Sequence, residues 1–212
     1  MKQFIFILIV LFNLIGCSAE FQSTSWEYGI IPFYFQEGFS EEQKDKIRES
    51  MAVWEEKGLN RIKFIQHNNI NDIPENILWI KVTTEISCAT VGDQSSKLEK
   101  NEMNLKTDSP ENEIQHELGH VLGLRHEHQR PDRDDYILIN TQSISVISQQ
   151  DQYVKYSENE YTIYDYKEYP FDFDSIMMYL ENIINKKTGK HSHLGSIEIS
   201  EIDAKKIQDI YK

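Results

Sequence analysis

The sequence predicts an α+β protein: strands and helices mixed in the front half, few regular elements behind them, and a closing helix. Three observations carry that expectation. Segments 40–58 and 200–211 place apolar residues at helical spacing behind a serine that can cap them. Short runs rich in β-branched and aromatic residues, "RIKFIQ" (61–66) and "ILWIKV" (77–82), read as strands. "YTIYDYKEYPFDFD" (161–174) is aromatic and turn-rich without a clear period. A long segment of that kind inside a compact domain usually carries function.

Taken in order, the chain begins with "MKQFIFILIVLFNLIG", one lysine followed by an almost unbroken apolar run. That is the layout of a secretory signal peptide over residues 1–16. The run is too short, and too abruptly followed by polar residues, for a convincing membrane span; a hydrophobic core element is the alternative. It ends in "LIGC", Leu14 to Cys17, which resembles the bacterial lipobox, with small Gly16 before the cut and a cysteine to carry the lipid. The expectation is export, with Cys17 anchoring the protein to the cell envelope; an ordinary signal peptide that contains a cysteine, and hence secretion, is the alternative. Several acyl chains on one cysteine would hold the protein stably on a bacterial membrane. The only other cysteine is Cys88, so an acylated Cys17 leaves no intramolecular disulfide, and stability falls to packing and metal.

Residues 17–25 then form a polar tether, and the globular domain spans 26–212. In "WEYGIIPFYF" Pro32 predicts the start of an edge strand. "SEEQKDKIRESMAVWEEKG" predicts a helix capped by Ser40 with Gln43 three residues on and ended by Gly58, with Ile47, Met51 and Trp54 on its core face. "EMNL" (102–105) reads as a strand, 111–123 as a helix behind Ser109 and Pro110, and 200–211 as a helix capped by Ser200.

The 212 residues, 39% hydrophobic and 11% aromatic, suffice for one substantial core. The formal charge of −13 repels nucleic acid and anionic headgroups, so no nucleic-acid partner is expected, and a monomer is.

The chemistry lies in "HELGHVLGLRHEHQRPDRD" (116–134). His116 and His120, four apart on a helix, share one face about 6 Å apart, so both imidazoles can reach one ion. His126 would lie roughly 15 Å up a continuing helix and out of reach. The helix must stop, and Gly123, tolerant of left-handed backbone, is where it can. Glu117 is adjacent to a ligand without being placed as one, and can take a proton from a metal-bound water. Three protein ligands leave a position open, the mark of a catalytic site for one Zn2+. The bland reading of HExxH alone is a surface helix with two histidines. The whole H-E-x-x-H-x-x-G-x-x-H pattern is different, since a chance match in such a chain is on the order of one in 100,000. It matches the metzincin signature.

That signature calls for a turn carrying methionine, and "SIMMYL" (175–180) supplies it, with Met177 as a soft floor under the histidines; core filling is the alternative for Met177 and Met178. The chain resembles the astacin family of zinc endopeptidases. "RPDRD" after Glu127, "SIMMY" where the family has "SIMHY", the opening "WEYGIIPFYF" and the end "DAKKIQDIY" carry the resemblance over about residues 26–212. It implies a metzincin catalytic domain: a twisted mixed sheet with two long helices in the N-terminal lobe, and an irregular C-terminal lobe with a Met-turn and final helix. It implies His116, His120 and His126 on zinc, Glu117 as general base and acid, and Tyr179 as a movable extra ligand. A phenol stabilising the oxyanion could contribute about 3 kcal/mol. An extended protein or peptide substrate would add as a strand to the edge near "MNL".

The departures are specific. No room for a propeptide lies between signal and domain. The two disulfides of the family are absent. The family buries its mature N-terminus against the glutamate after the third histidine, here Glu127, which in this chain is expected to bond backbone or Arg130 instead. "HSH" (191–193) reads as a solvated loop. The expected activity is zinc-dependent hydrolysis of extracellular or envelope proteins; the rival is a catalytically inactive binding lipoprotein that keeps the metzincin fold.

Overall fold

The computed structural model describes residues 25–95, 100–140, 151–158, 163–179, 182–189 and 197–212. The predicted signal, the tether as far as residue 24 with Cys17, and His191 and His193 lie outside the described residues. No helix among the described residues is long and apolar enough to cross a membrane.

The N-terminal lobe is a five-stranded mixed sheet covered by two helices. Its strands are β1 (Ile30–Phe35), β2 (Lys63–Gln66), β3 (Leu78–Val82), β4 (Cys88–Ala89) and β5 (Asn101–Leu105), in the order β2-β1-β3-β5-β4. Neighbours are parallel except β4, which runs antiparallel to β5.

Pro32 does not mark an edge strand, because β1 is paired on both sides. The Phe33 carbonyl accepts from the His67 N–H on the β2 side, and the Gln36 N–H donates to Ile80 on the β3 side. Backbone groups alternate along a strand, so the N–H that Pro32 lacks would face β3, where pairing begins one residue later at Phe33.

Helix α1 (Glu41–Lys57) starts at the predicted capping box: Ser40 Oγ accepts from the Gln43 N–H and Gln43 Oε1 from the Ser40 N–H. It ends where the Gly58 N–H donates to the Trp54 carbonyl. Ile47, Met51 and Trp54 are buried as their spacing predicts. Burying side chains of this size contributes about 1.5–3 kcal/mol each. Trp54 Nε1 donates to the Gln115 carbonyl at 3.0 Å, which ties α1 to α2 (Glu111–Val121).

The last turn of α2 is held from both flanks of the domain. Trp26 Nε1 donates to the Val121 carbonyl at 2.7 Å and the Tyr211 hydroxyl to Leu122 at 3.0 Å. These donors satisfy helix-end carbonyls that have no partner inside the helix.

The C-terminal part has fewer elements. Strands β6 (Ile137–Ile139) and β7 (Ile183–Asn185) pair antiparallel over a small core of Ile137, Phe171, Met178 and Ile183. Helix α3 (Glu201–Ile210) closes the chain behind Ser200, whose hydroxyl accepts from the Asp203 N–H at 2.9 Å.

Candidate metal centre

Three histidine nitrogens converge at the end of α2. The helix stops where expected: Gly123 has φ +105°, its N–H donates to His120 and the Leu124 N–H donates to Gly119. The chain turns back and carries His126 to the face that presents His116 and His120. His126 Nε2 lies 3.1 Å from His116 Nε2 and 3.0 Å from His120 Nε2.

The other ring nitrogens decide what that convergence means. His116 Nδ1 lies 2.7 Å from the Ile176 carbonyl, His120 Nδ1 2.8 Å from the Leu124 carbonyl, and His126 Nδ1 2.7 Å from Gln129 Oε1. Each acceptor is an oxygen, so each Nδ1 carries the proton and each Nε2 presents a lone pair. Three lone pairs facing one point repel unless a cation sits among them. A tetrahedral zinc ion with Zn–N of about 2.05 Å sets neighbouring nitrogens about 3.3 Å apart, close to what is found. The residues present therefore fit one zinc ion, with the outer hydrogen bonds that orient such ligands already made. Burial, then mutual repulsion, pushes His120 down to about 3 and His126 well below its usual value; burial also lowers His116. All three are thus neutral, the form that ligates.

Glu117 is 6% exposed, and its Oε2 is buried with no hydrogen-bond partner among the described residues. Burial, reinforced by the charges of Cys88 and Glu113, holds its pKa well above the carboxylate range. A buried carboxylate oxygen left open beside a cation site is placed to accept a proton from a water there.

The Met-turn lies under the histidines. Met177 is 1% exposed, and its sulfur packs against Gly119, where an added β-carbon would stand 2.5 Å away. The turn's backbone also serves the site: the Ile176 carbonyl orients His116, and the Met177 carbonyl accepts from the Glu127 N–H at 3.0 Å. Asp203 of α3 holds the turn, accepting from the Ser175 hydroxyl at 2.7 Å and the Ile176 N–H at 2.8 Å. Met178 points to the second core.

Glu127 bonds both partners expected of it, Arg130 Nη1 at 2.8 Å and the Asp172 N–H at 2.8 Å, and one that was not: Lys206 Nζ at 2.8 Å. Tyr179 stands at the rim, its ring 4.5 Å from that of His126 and 4.2 Å from that of His128. Its hydroxyl reaches Gln152 Oε1 at 3.5 Å. Burial, with the charge of Glu117, raises its pKa.

Sequence reasoning missed His128, Gln129, Gly119, Asp203 and Lys206. His128 is fully buried, stacks 4.9 Å from the His126 ring and donates from Nε2 to the Gln152 carbonyl. The edge expected to take substrate also shifts. Part of β5 is covered by β4, which pairs Cys88 with Asn104 and Ala89 with Met103, so β4 is the edge strand on this side. Cys88 lies on it, its sulfur 3.8 Å from Asn104 Nδ2.

Comparison with known proteins agrees with this geometry. Residues 18–212 match the family model described as Astacin, a peptidase family. The dorsal-ventral patterning protein tolloid of Drosophila melanogaster is 30% identical over 76% of this chain, and the zinc metalloproteinase nas-14 of Caenorhabditis elegans 26% identical over 88%. The chain spans only 14% and 37% of those two relatives. Among solved structures, high choriolytic enzyme 1, a hatching-enzyme zinc protease of Oryzias latipes, superposes with a TM-score of 0.74 at 21% identity, over 89% of this chain and 93% of that one. Myroilysin superposes at 0.63 and 20% identity, over 89% and 95%. At these identities the likeness to the two structures shows a shared fold and nothing beyond it.

Proposed function

Because the chain belongs to the astacin family of peptidases, we propose that it is a zinc-dependent endopeptidase that hydrolyses peptide bonds of extracellular or envelope proteins. The observation that carries this reading is the convergence of three proton-free Nε2 atoms beside the open carboxylate of Glu117.

His116, His120 and His126 hold the metal. Zinc, when bound, supplies Lewis acidity that polarises the scissile carbonyl and acidifies a water. Glu117 accepts the proton of the attacking water and returns it to the leaving amine. Its Oε2, buried and without a hydrogen-bond partner among the described residues, is open to receive that proton. Tyr179 donates its phenol hydrogen to the developing oxyanion. An extended substrate pairs with the β4 edge, antiparallel backbone supplying affinity.

The enzyme acts as a monomer on the cell envelope, held by lipid on Cys17; the apolar run ending in "LIGC" supports this. Mass spectrometry of protein extracted from the producing cell's membranes would find lipid on Cys17, and an unmodified soluble chain would exclude it.

The peptidase reading is tested by incubating the purified, zinc-loaded protein with a peptide library and reading cleavage sites by mass spectrometry. Hydrolysis that a chelator abolishes and zinc restores supports the enzyme. Stoichiometric zinc with no cleavage of any peptide favours the inactive binding lipoprotein.

A further inference from the structure

Besides Asp203, which holds the Met-turn, helix α3 sends Lys206 to the residue that follows the third ligand. Lys206 is 1% exposed and Glu127 0%. Lys206 Nζ lies 2.8 Å from Glu127 Oε2 and 4.0 Å from Asp203 Oδ1, and stands over the Tyr164 ring at 5.5 Å. The other oxygen, Oε1, takes Arg130 Nη1 and the Asp172 N–H. Glu127 directly follows the ligand His126, and its own N–H donates to Met177 in the Met-turn.

A lysine buried this deeply is strongly disfavoured unless its charge is paired. Arg130 alone does not balance Glu127, because Asp132 also engages that guanidinium at both Nε and Nη2. Lys206 is the second cation at the carboxylate. With it, the residue after His126 is gripped at its N–H by the Met-turn, at Oε1 from the loop and at Oε2 from α3. Loss of Lys206 would leave Oε2 buried and without its partner, and the cheapest relief is for the loop carrying His126 to shift.

We propose that Lys206 is a positioning residue for the third metal ligand: its ammonium, delivered by α3, locks Glu127 so that His126 Nε2 stays on the point shared with His116 and His120. The inference rests on the reading of this centre as a zinc peptidase site. It makes the closing helix a part of the metal-site scaffold rather than a surface cover alone.

The test uses the full chain loaded with cobalt(II), whose visible absorption bands report ligand number and geometry without turnover. Lys206→Met is expected to shift and weaken those bands and to lower zinc affinity by about 10- to 100-fold. It should also lower kcat with little change in KM. Lys205→Met, altering an exposed neighbour paired with Asp209, should match wild type throughout. Lys206→Arg, which keeps the cation, should recover part of the loss. A Lys206→Met protein that is merely less heat-stable, with wild-type cobalt bands and zinc affinity, would overturn the proposal. Should Lys206→Met not fold, Glu127→Gln removes the charge that Lys206 grips and carries the same test: shifted bands support the proposal and wild-type bands contradict it. A wild type that binds zinc but cleaves no peptide would count against the peptidase reading, while the spectral comparison would still decide the role of Lys206.

Discussion

Gly119 and Met177 meet through the methionine sulfur: a β-carbon on Gly119 would lie 2.5 Å from Met177 Sδ and 3.4 Å from the Trp54 ring. The missing side chain lets the Met-turn close against α2 directly between the ligands His116 and His120. Gly119→Ala would ordinarily stabilise a helix interior by about 1 kcal/mol. Here the overpacking should dominate, giving a net loss of about 1–3 kcal/mol in denaturant unfolding and weaker zinc binding. A more stable Gly119→Ala protein would mean the turn does not pack as described.

Tyr179→Phe separates chemistry from architecture. Among the described residues the hydroxyl makes one long contact, to Gln152 at 3.5 Å, so its loss should leave unfolding midpoint and zinc content near wild type. If the phenol stabilises the oxyanion, kcat should fall about 100-fold, the equivalent of roughly 3 kcal/mol, with KM little changed. Undiminished kcat would remove Tyr179 from the mechanism.

Acid should destabilise the metal-free protein. His116, His120, His126 and His128 are all held below their ordinary value of 6.5, chiefly by burial, His120 and His128 to about 3. A group with a depressed folded-state pKa stabilises above its unfolded value, and that contribution is lost as pH falls toward the folded one. Each such imidazole costs about 1.4 kcal/mol per pH unit across that window. Asp203 has the opposite sign. Burial raises it to about 6, so its contribution is present below the unfolded carboxylate range and is lost as pH rises through 6. Glu117 and Asp172, also raised chiefly by burial, share that sign; across pH 5 to 7 the four imidazoles still outweigh the three carboxyls, so unfolding in chelator should occur at lower denaturant at pH 5 than at pH 7. His128→Gln should flatten the slope. Stability that rises on acidification would contradict the buried, neutral assignment.

Asp203 links α3 to the Met-turn, and its removal should be felt in both. Asp203→Ala leaves the Ser175 hydroxyl and the Ile176 N–H buried without their acceptor. The expected loss is about 2–4 kcal/mol of stability, together with weaker zinc binding because the Ile176 carbonyl orients His116. Wild-type zinc affinity in a folded Asp203→Ala protein would confine this residue to capping.

Much of this was legible in the sequence, for identifiable reasons. The capping boxes at Ser40 and Ser200 are local chemistry, complete within four residues. Gly123 and His126 explain each other, since neither makes sense at that spacing without the turn. Strands of two or three residues, β4, β6 and β7, are too short to show alternation. The oxygens that fix His116 and His120 are backbone carbonyls of Ile176 and Leu124, which any residue could supply and no composition reveals. Lys206 sits in "DAKKIQ" beside exposed Lys205, and only the packing of α3 against Glu127 distinguishes the buried lysine from its neighbour. Pro32 misled because its missing donor falls just before the start of β3 pairing.

The most direct test of the central claim measures zinc content and peptide hydrolysis on the same preparations of wild type, Glu117→Ala and His120→Ala. Glu117 directly follows the ligand His116 and keeps a buried oxygen open, whereas His120 supplies one of the three converging nitrogens. Glu117→Ala is expected to keep about one zinc per chain and lose nearly all hydrolysis, and His120→Ala to lose both. Normal cleavage by Glu117→Ala would contradict the assignment of Glu117 as the base that works beside the metal.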